Sequence, residues 1–156
     1  MEADARLLHL ALMGRDVKPD NGQFQPRSRP ESYLSPYYVD AGKFPSDHAE
    51  TAGFEAYYRN GPWIFGGEYG WQFMDAPLAG DPMFHGGNVS AVWLITGETR
   101  GYNNVSNYFN AVRTSRSVFD GGPGAIEAAL NFSYIDLNGG NRLGGTFWRV
   151  TLPLSW

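Results

Sequence analysis

The residues of this chain with the most chemistry to offer are arginines and glutamates spaced so that they share faces. Arg15, Arg27, Arg29, Arg59 and Arg149 fall on the polar faces of extended runs, and Glu31, Glu55, Glu68 and Glu127 fall on those same faces. Arginines lining a water-filled wall give a fixed positive field that favours anions. Arginines beside glutamates can instead pair internally and brace the wall. Five against four is nearly neutral, and the residues alone leave both readings open.

Other constellations carry less. His9, His48 and His85 are scattered, and a catalytic triad is placed by a fold rather than by spacing, so separate histidines are the plainer reading. Asp47-His48-Ala49-Glu50 has ligand-type side chains but no second cluster to complete a metal site. Gly121-Gly122-Pro123-Gly124 is glycine-rich, yet a phosphate cradle precedes a helix and normally supplies a lysine. Here a strand follows, so the stretch reads as a turn. With no cysteine in the chain, neither a disulfide scaffold nor a thiolate metal site is available. We expect no catalytic residue, no metal and no cofactor.

The elements that must position these groups are strands. Along 63–74 the odd positions are Trp63, Phe65, Gly67, Tyr69, Trp71 and Phe73, while the even ones are Ile64, Gly66, Glu68, Gly70, Gln72 and Met74. A period of two puts the sets on opposite faces of one strand. Aromatics on one face and small or polar groups on the other suit a strand between lipid and a wet lumen. Trp63 and Phe73 lie about 33 Å apart along a strand. Tilted as barrel strands are, that becomes about 25 Å of height, near the apolar band of an outer-membrane barrel.

The same alternation recurs at Leu8/Leu10/Leu12, at Phe54/Ala56/Tyr58, at Val89/Ala91/Trp93/Ile95, at Ile126 to Tyr134 with Phe132, and at Trp148/Val150/Leu152/Leu154/Trp156. A further irregular strand is expected over Gln23–Glu31, with Pro26 and Pro30 in it. Asn60-Gly61-Pro62 predicts a tight turn. Long loops are expected over Asp75–Gly87 and Gly97–Gly124. The expectation is therefore an all-β, antiparallel transmembrane β-barrel, present as about seven strands. The lipid-facing candidates are Trp63, Phe65, Tyr69, Trp71, Phe73, Phe132, Tyr134, Trp148 and Trp156. The pore-lining candidates are Arg15, Arg27, Arg29, Arg59, Arg149, Glu55, Glu68 and Glu127. A net charge of −4 argues against a nucleic-acid surface.

Several blocks resemble one known family. Arg27-Ser-Arg-Pro-Glu31, Trp93-Leu-Ile-Thr-Gly-Glu-Thr-Arg-Gly-Tyr102, and Gly121-Gly-Pro-Gly-Ala-Ile-Glu127 with Tyr134-Ile-Asp-Leu-Asn138 are similar, in order, to the porin O/P family of phosphate- and polyphosphate-selective outer-membrane porins. The resemblance runs from about Arg6 to the end. It implies a passive channel for small anions and not an enzyme, a homotrimer in the Gram-negative outer membrane, and a monomer of the 16-to-18-stranded class. Residues 1–156 would be one partial barrel domain, the C-terminal half. The family's constriction loop and much of its cationic machinery would lie in the other half. No signal peptide begins the chain, so one is expected upstream. The terminal Trp156 fits either a clipped end or a genuine barrel-closing strand. A competing expectation is a soluble β-sandwich carbohydrate-binding module with Trp63, Tyr69 and Trp71 as its platform. A small stand-alone barrel is a third, and it requires an eighth strand.

Overall fold

The computed structural model describes residues 6–30 and 33–156. The strands in chain order are β1 (Arg6–Val17), β2 (Gln23–Phe24), β3 (Arg27–Ser28), β4 (Val39–Asp40), β5 (Phe44–Pro45), β6 (His48–Asn60) and β7 (Trp63–Asp75). After them come β8 (Met83–Leu94), β9 (Tyr102–Asn103), β10 (Tyr108–Phe109), β11 (Glu127–Gly139), β12 (Arg142–Thr151) and β13 (Leu154–Ser155). The long strands form one antiparallel sheet in the order β1-β6-β7-β8-β11-β12, and β13 continues the β12 edge along β11. The sheet is not closed. None of the described helices is long and apolar enough to cross a membrane, which has no bearing on strands.

Directly opposed residues in an antiparallel pair share a face, so the register sorts the whole sheet. One face carries Leu10, Ala56, Gly67, Val89, Phe132 and Val150 in a single row, and Leu12, Phe54, Tyr69, Gly87, Tyr134 and Trp148 in the next. The opposite face carries Ala11, Glu55, Glu68, Asn88, Ser133 and Arg149 in one row. Among the described residues no element covers the aromatic face. Leu12 is 88% exposed, Val89 60% and Trp148 63%, far from the packed core that a soluble sandwich would build from these side chains.

The register also defines two ends. At the Asn60 end, Asn60-Gly61-Pro62 joins β6 to β7, with Gly61 at φ 56° as such a turn requires. The 95–126 connection leaves from the same end. At the Gly140 end lie the 18–47 connection, the short 76–82 turn and the β11–β12 hairpin.

Three expectations need correction. Gln23–Glu31 is not a strand of the main sheet: β2 pairs only with β5 and β3 only with β4, because Pro26 and Pro30 remove the amides a longer ladder needs. Glu31 itself lies outside the described residues. The Asp75–Gly87 loop shrinks to 76–82, since Gly86 and Gly87 sit inside β8, where neighbouring backbones press so closely that a Cβ on Gly87 would come within 2.3 Å of a carbonyl oxygen. And 97–124 is not featureless: β9 and β10 form a hairpin within it.

The buried core lies on the polar side, at the Gly140 end. Val39, Ala41 and Phe44 of the 18–47 connection fold onto Ala49, Met74, Phe84 and Leu137 of the sheet, with Ile135 and Phe147 packed alongside. Phe44 and Phe84 are both almost wholly buried, with ring centroids 6.5 Å apart. Each such ring contributes about 1.5–3 kcal/mol of burial. Ser46 pins the base of the connection by donating to the His48 and Asp75 carbonyls.

Candidate lumen face and constriction

Both long connections fold over the same face of the sheet, from opposite ends. The 95–126 connection is pinched at its base by Ile95 N–H donating to the Ile126 carbonyl at 2.8 Å and by Ile126 N–H donating to Thr96 Oγ1 at 3.0 Å. Its β9–β10 hairpin then leans on the wall. Tyr102 hydroxyl bonds His9 Nδ1, and His9 Nε2 lies 2.6 Å from Glu55. Phe109 packs edge-on against Tyr57 at 6.2 Å. Arg59 Nη1 donates to the Arg100 carbonyl at 2.7 Å, and the Arg100 guanidinium pairs with Glu127.

Glu98 holds the base from within. Burial alone would raise its pKa, but hydrogen bonds from Thr96 and from the Ser115 amide and hydroxyl outweigh it, and the carboxyl titrates below the ordinary carboxylate range.

Between the two connections a polar belt stays open. A cavity of about 500 Å3 is lined by Arg29, Glu68, Gln72, Asn88, Ser133 and Arg149, among others. Asn88 Nδ2 donates to Glu68 at 2.8 Å. Arg29 reaches the belt from the 18–47 connection. Its guanidinium lies 4.1 Å from the Tyr37 ring centroid, that of Arg27 lies 4.0 Å from it, and Arg29 Nη1 donates to the Tyr33 carbonyl at 2.9 Å. The same tyrosine thus holds two guanidinium groups in place.

Of the residues singled out in the sequence, Arg15, Arg59, Arg149, Glu55, Glu68 and Glu127 stand on this one face by register. Arg27 and Arg29 do not stand on a wall strand, contrary to expectation, because their segment is a connection. Trp63, Phe65, Tyr69, Trp71, Phe73, Phe132, Tyr134 and Trp148 stand on the opposite face. Trp156 lies past β13, at the Asn60 end, with its indole N–H donating to the Pro123 carbonyl. Sequence reasoning missed His9, Arg100 and Tyr102. The signal was there in Tyr102-Asn103 and Tyr108-Phe109, two short stretches with aromatic residues flanking a turn in which Asn103 Oδ1 accepts from the Val105 and Ser106 amides. Among the described residues no group of three or more histidines and carboxylates is arranged to hold a metal ion.

The model of the family described as phosphate-selective porin O and P matches residues 11–156. The chain belongs to that porin family. A protein of Caulobacter vibrioides (strain ATCC 19089 / CIP 103742 / CB 15), itself uncharacterized, is 30% identical over 120 residues, which cover 76% of this chain and 24% of that protein. The chain thus spans about a quarter of the length of that curated relative. No solved structure matches it. The porin family accounts for the all-β architecture and implies a β-barrel in the outer membrane.

Proposed function

We propose that this chain is a sector of the wall of an outer-membrane porin that passes small anions such as phosphate or polyphosphate. The observation that carries the reading is the row Ala11–Glu55–Glu68–Asn88–Ser133–Arg149, which runs unbroken across six strands while every adjacent row on the other face is apolar or aromatic. Lipid can cover the aromatic face, and water can fill the polar one. The outer edges of β1 and β12 carry backbone groups that lipid cannot satisfy. Further strands of the whole protein would close them, in a barrel of the 16-to-18-stranded class that assembles as a homotrimer. Residues 1–156 then form one partial barrel domain.

The 95–126 connection narrows the lumen from the Asn60 end, and the 18–47 connection narrows it from the other. At the belt between them, Arg29 and Arg149 provide positive charge. Glu55 is engaged by His9 and Glu68 by Asn88. The sector therefore adds a modest anion preference, and the rest of the barrel sets most of the selectivity.

Reversal potentials in planar bilayers, measured on the full-length protein, test this. Neutralising Arg27 and Arg29 together shifts permeability toward cations without closing the pore, more at low salt than at the physiological Debye length of about 8 Å. An unchanged reversal potential at low salt would mean that the arginines only brace the connection.

A further inference from the structure

The aromatic face contains a feature that anion passage does not use. A groove of about 560 Å3 runs between Phe54, Tyr69 and Trp71 on one side and Phe132 and Tyr134 on the other, and Ala56, Gly67, Gly87 and Val89 also line it. It exists because two of these positions lack side chains. A Cβ on Gly67 would meet the Asn88 carbonyl oxygen at 2.1 Å, and one on Gly87 would meet a Tyr69 ring carbon at 2.6 Å. The strands are therefore pressed together there, and the surface above them is hollow.

One end of the groove is polar. His85 follows Gly87 on the same face, and its ring stacks between Tyr69 and Tyr134 with centroids 5.9 Å from each. The Tyr69 hydroxyl lies in hydrogen-bond contact with His85 Nδ1, 2.7 Å away. In the tautomer in which the hydroxyl donates, the ring proton sits on Nε2 and the imidazole presents a donor there. Asp136 stands directly across from His85 on β11. Its carboxylate is held by the backbone and side-chain amides of Asn138, both at 2.8 Å, and by the Tyr134 hydroxyl at 3.4 Å. An ionisable pair on a lipid-facing surface is expensive and calls for a role.

We propose that this groove binds a zwitterionic membrane phospholipid with a primary-ammonium headgroup. The acyl chain lies in the hollow over Gly67 and Gly87, the ammonium turns to Asp136, and the phosphate accepts from His85 Nε2. The site rests on the reading of the aromatic face as lipid-facing. Charge complementarity selects this occupant. A headgroup with only negative charge meets Asp136 as a like charge, and an apolar wedge from a second copy would bury that carboxylate without a counter-charge in a low dielectric.

The test is native mass spectrometry of the full-length protein released from nanodiscs made of equal phosphatidylethanolamine and phosphatidylglycerol, with conductance measured on the same samples. The expected result is retention of phosphatidylethanolamine over phosphatidylglycerol by tenfold or more. Asp136→Asn lowers that ratio toward one. Ala56→Phe fills the hollow and removes the bound lipid, and both variants conduct as the parent does. Equal retention of the two lipids by a conducting protein, or an unchanged preference in both variants, overturns the site alone. So does cross-linking between protomers through Ala56→Cys without retained lipid, because it gives the groove to a second copy. A protein that neither inserts nor conducts overturns the membrane reading, and the site with it.

Discussion

Replacing Arg100 with alanine should loosen the 95–126 connection from the wall it leans on. Its guanidinium pairs with Glu127, with the two side chains only 25% and 19% exposed, so solvent screens the pair weakly. A charge-assisted hydrogen bond of this kind is worth about 1.5–3 kcal/mol. Taking about 2 kcal/mol, at roughly 1.4 kcal/mol per factor of ten, the ratio of released to docked connection rises roughly 25-fold. The release is partial, because Arg59 bonds the Arg100 backbone carbonyl and Tyr102 still bonds His9. Single-channel recording on the full-length protein reads the change as more frequent excursions to a higher-conductance level. Glu127→Gln moves gating the same way, since it removes the other half of the pair. Conductance and flicker identical to the parent in both variants would refute the idea that this pair holds a constricting segment.

Acid should loosen the same connection through Glu98. Its carboxyl titrates below the ordinary carboxylate range, so the stability it lends is fully present at and above that range and is lost as pH falls through the lowered pKa. Hydrogen exchange in the 95–126 segment should accelerate below pH 4.5 in the parent, and Glu98→Gln should flatten that dependence. Gly66→Val should cost about 1–3 kcal/mol, since a Cβ there meets the Ala56 carbonyl oxygen at 2.4 Å and the Tyr57 ring at 2.3 Å, whereas Gly14, with nothing within 4 Å, should accept alanine with little effect. Urea unfolding from lipid vesicles compares the two. Trp93→Ala breaks a parallel stack with Trp63 at 5.0 Å and should lower stability in the same assay by about 1 kcal/mol beyond its lost area.

Most of the sheet was legible because its signal is local. The period-two alternation in 63–74 fixes which side chains share a face, and Asn60-Gly61-Pro62 fixes a turn, with no knowledge of distant residues. Strand ends were less so. Gly86 and Gly87 look like loop residues, and only the close approach of neighbouring strands explains them inside β8. The same limit hid the lumen-side contacts. Arg100 pairs with Glu127 and Tyr102 with His9 across 27 and 93 residues, and no short-range pattern encodes such pairings. Arg27 and Arg29 show the converse error: an alternation of polar residues looked like a strand face, but the prolines around it turned the segment into a connection.

The two faces of this sheet should meet different solvents, and cysteine scanning of β11 reads that difference position by position. Residues 1–156 contain no cysteine, so single substitutions from Glu127 to Asp136, made in the full-length protein with any cysteine outside this stretch replaced and reconstituted in vesicles, report only on themselves. Odd positions from Glu127 to Ser133 should react with a water-soluble maleimide. Even positions, Leu130, Phe132 and Tyr134 among them, should resist it and place an attached fluorophore where brominated lipid quenches it. Even positions that label as fast as odd ones, with no quenching by lipid, would show that both faces meet water.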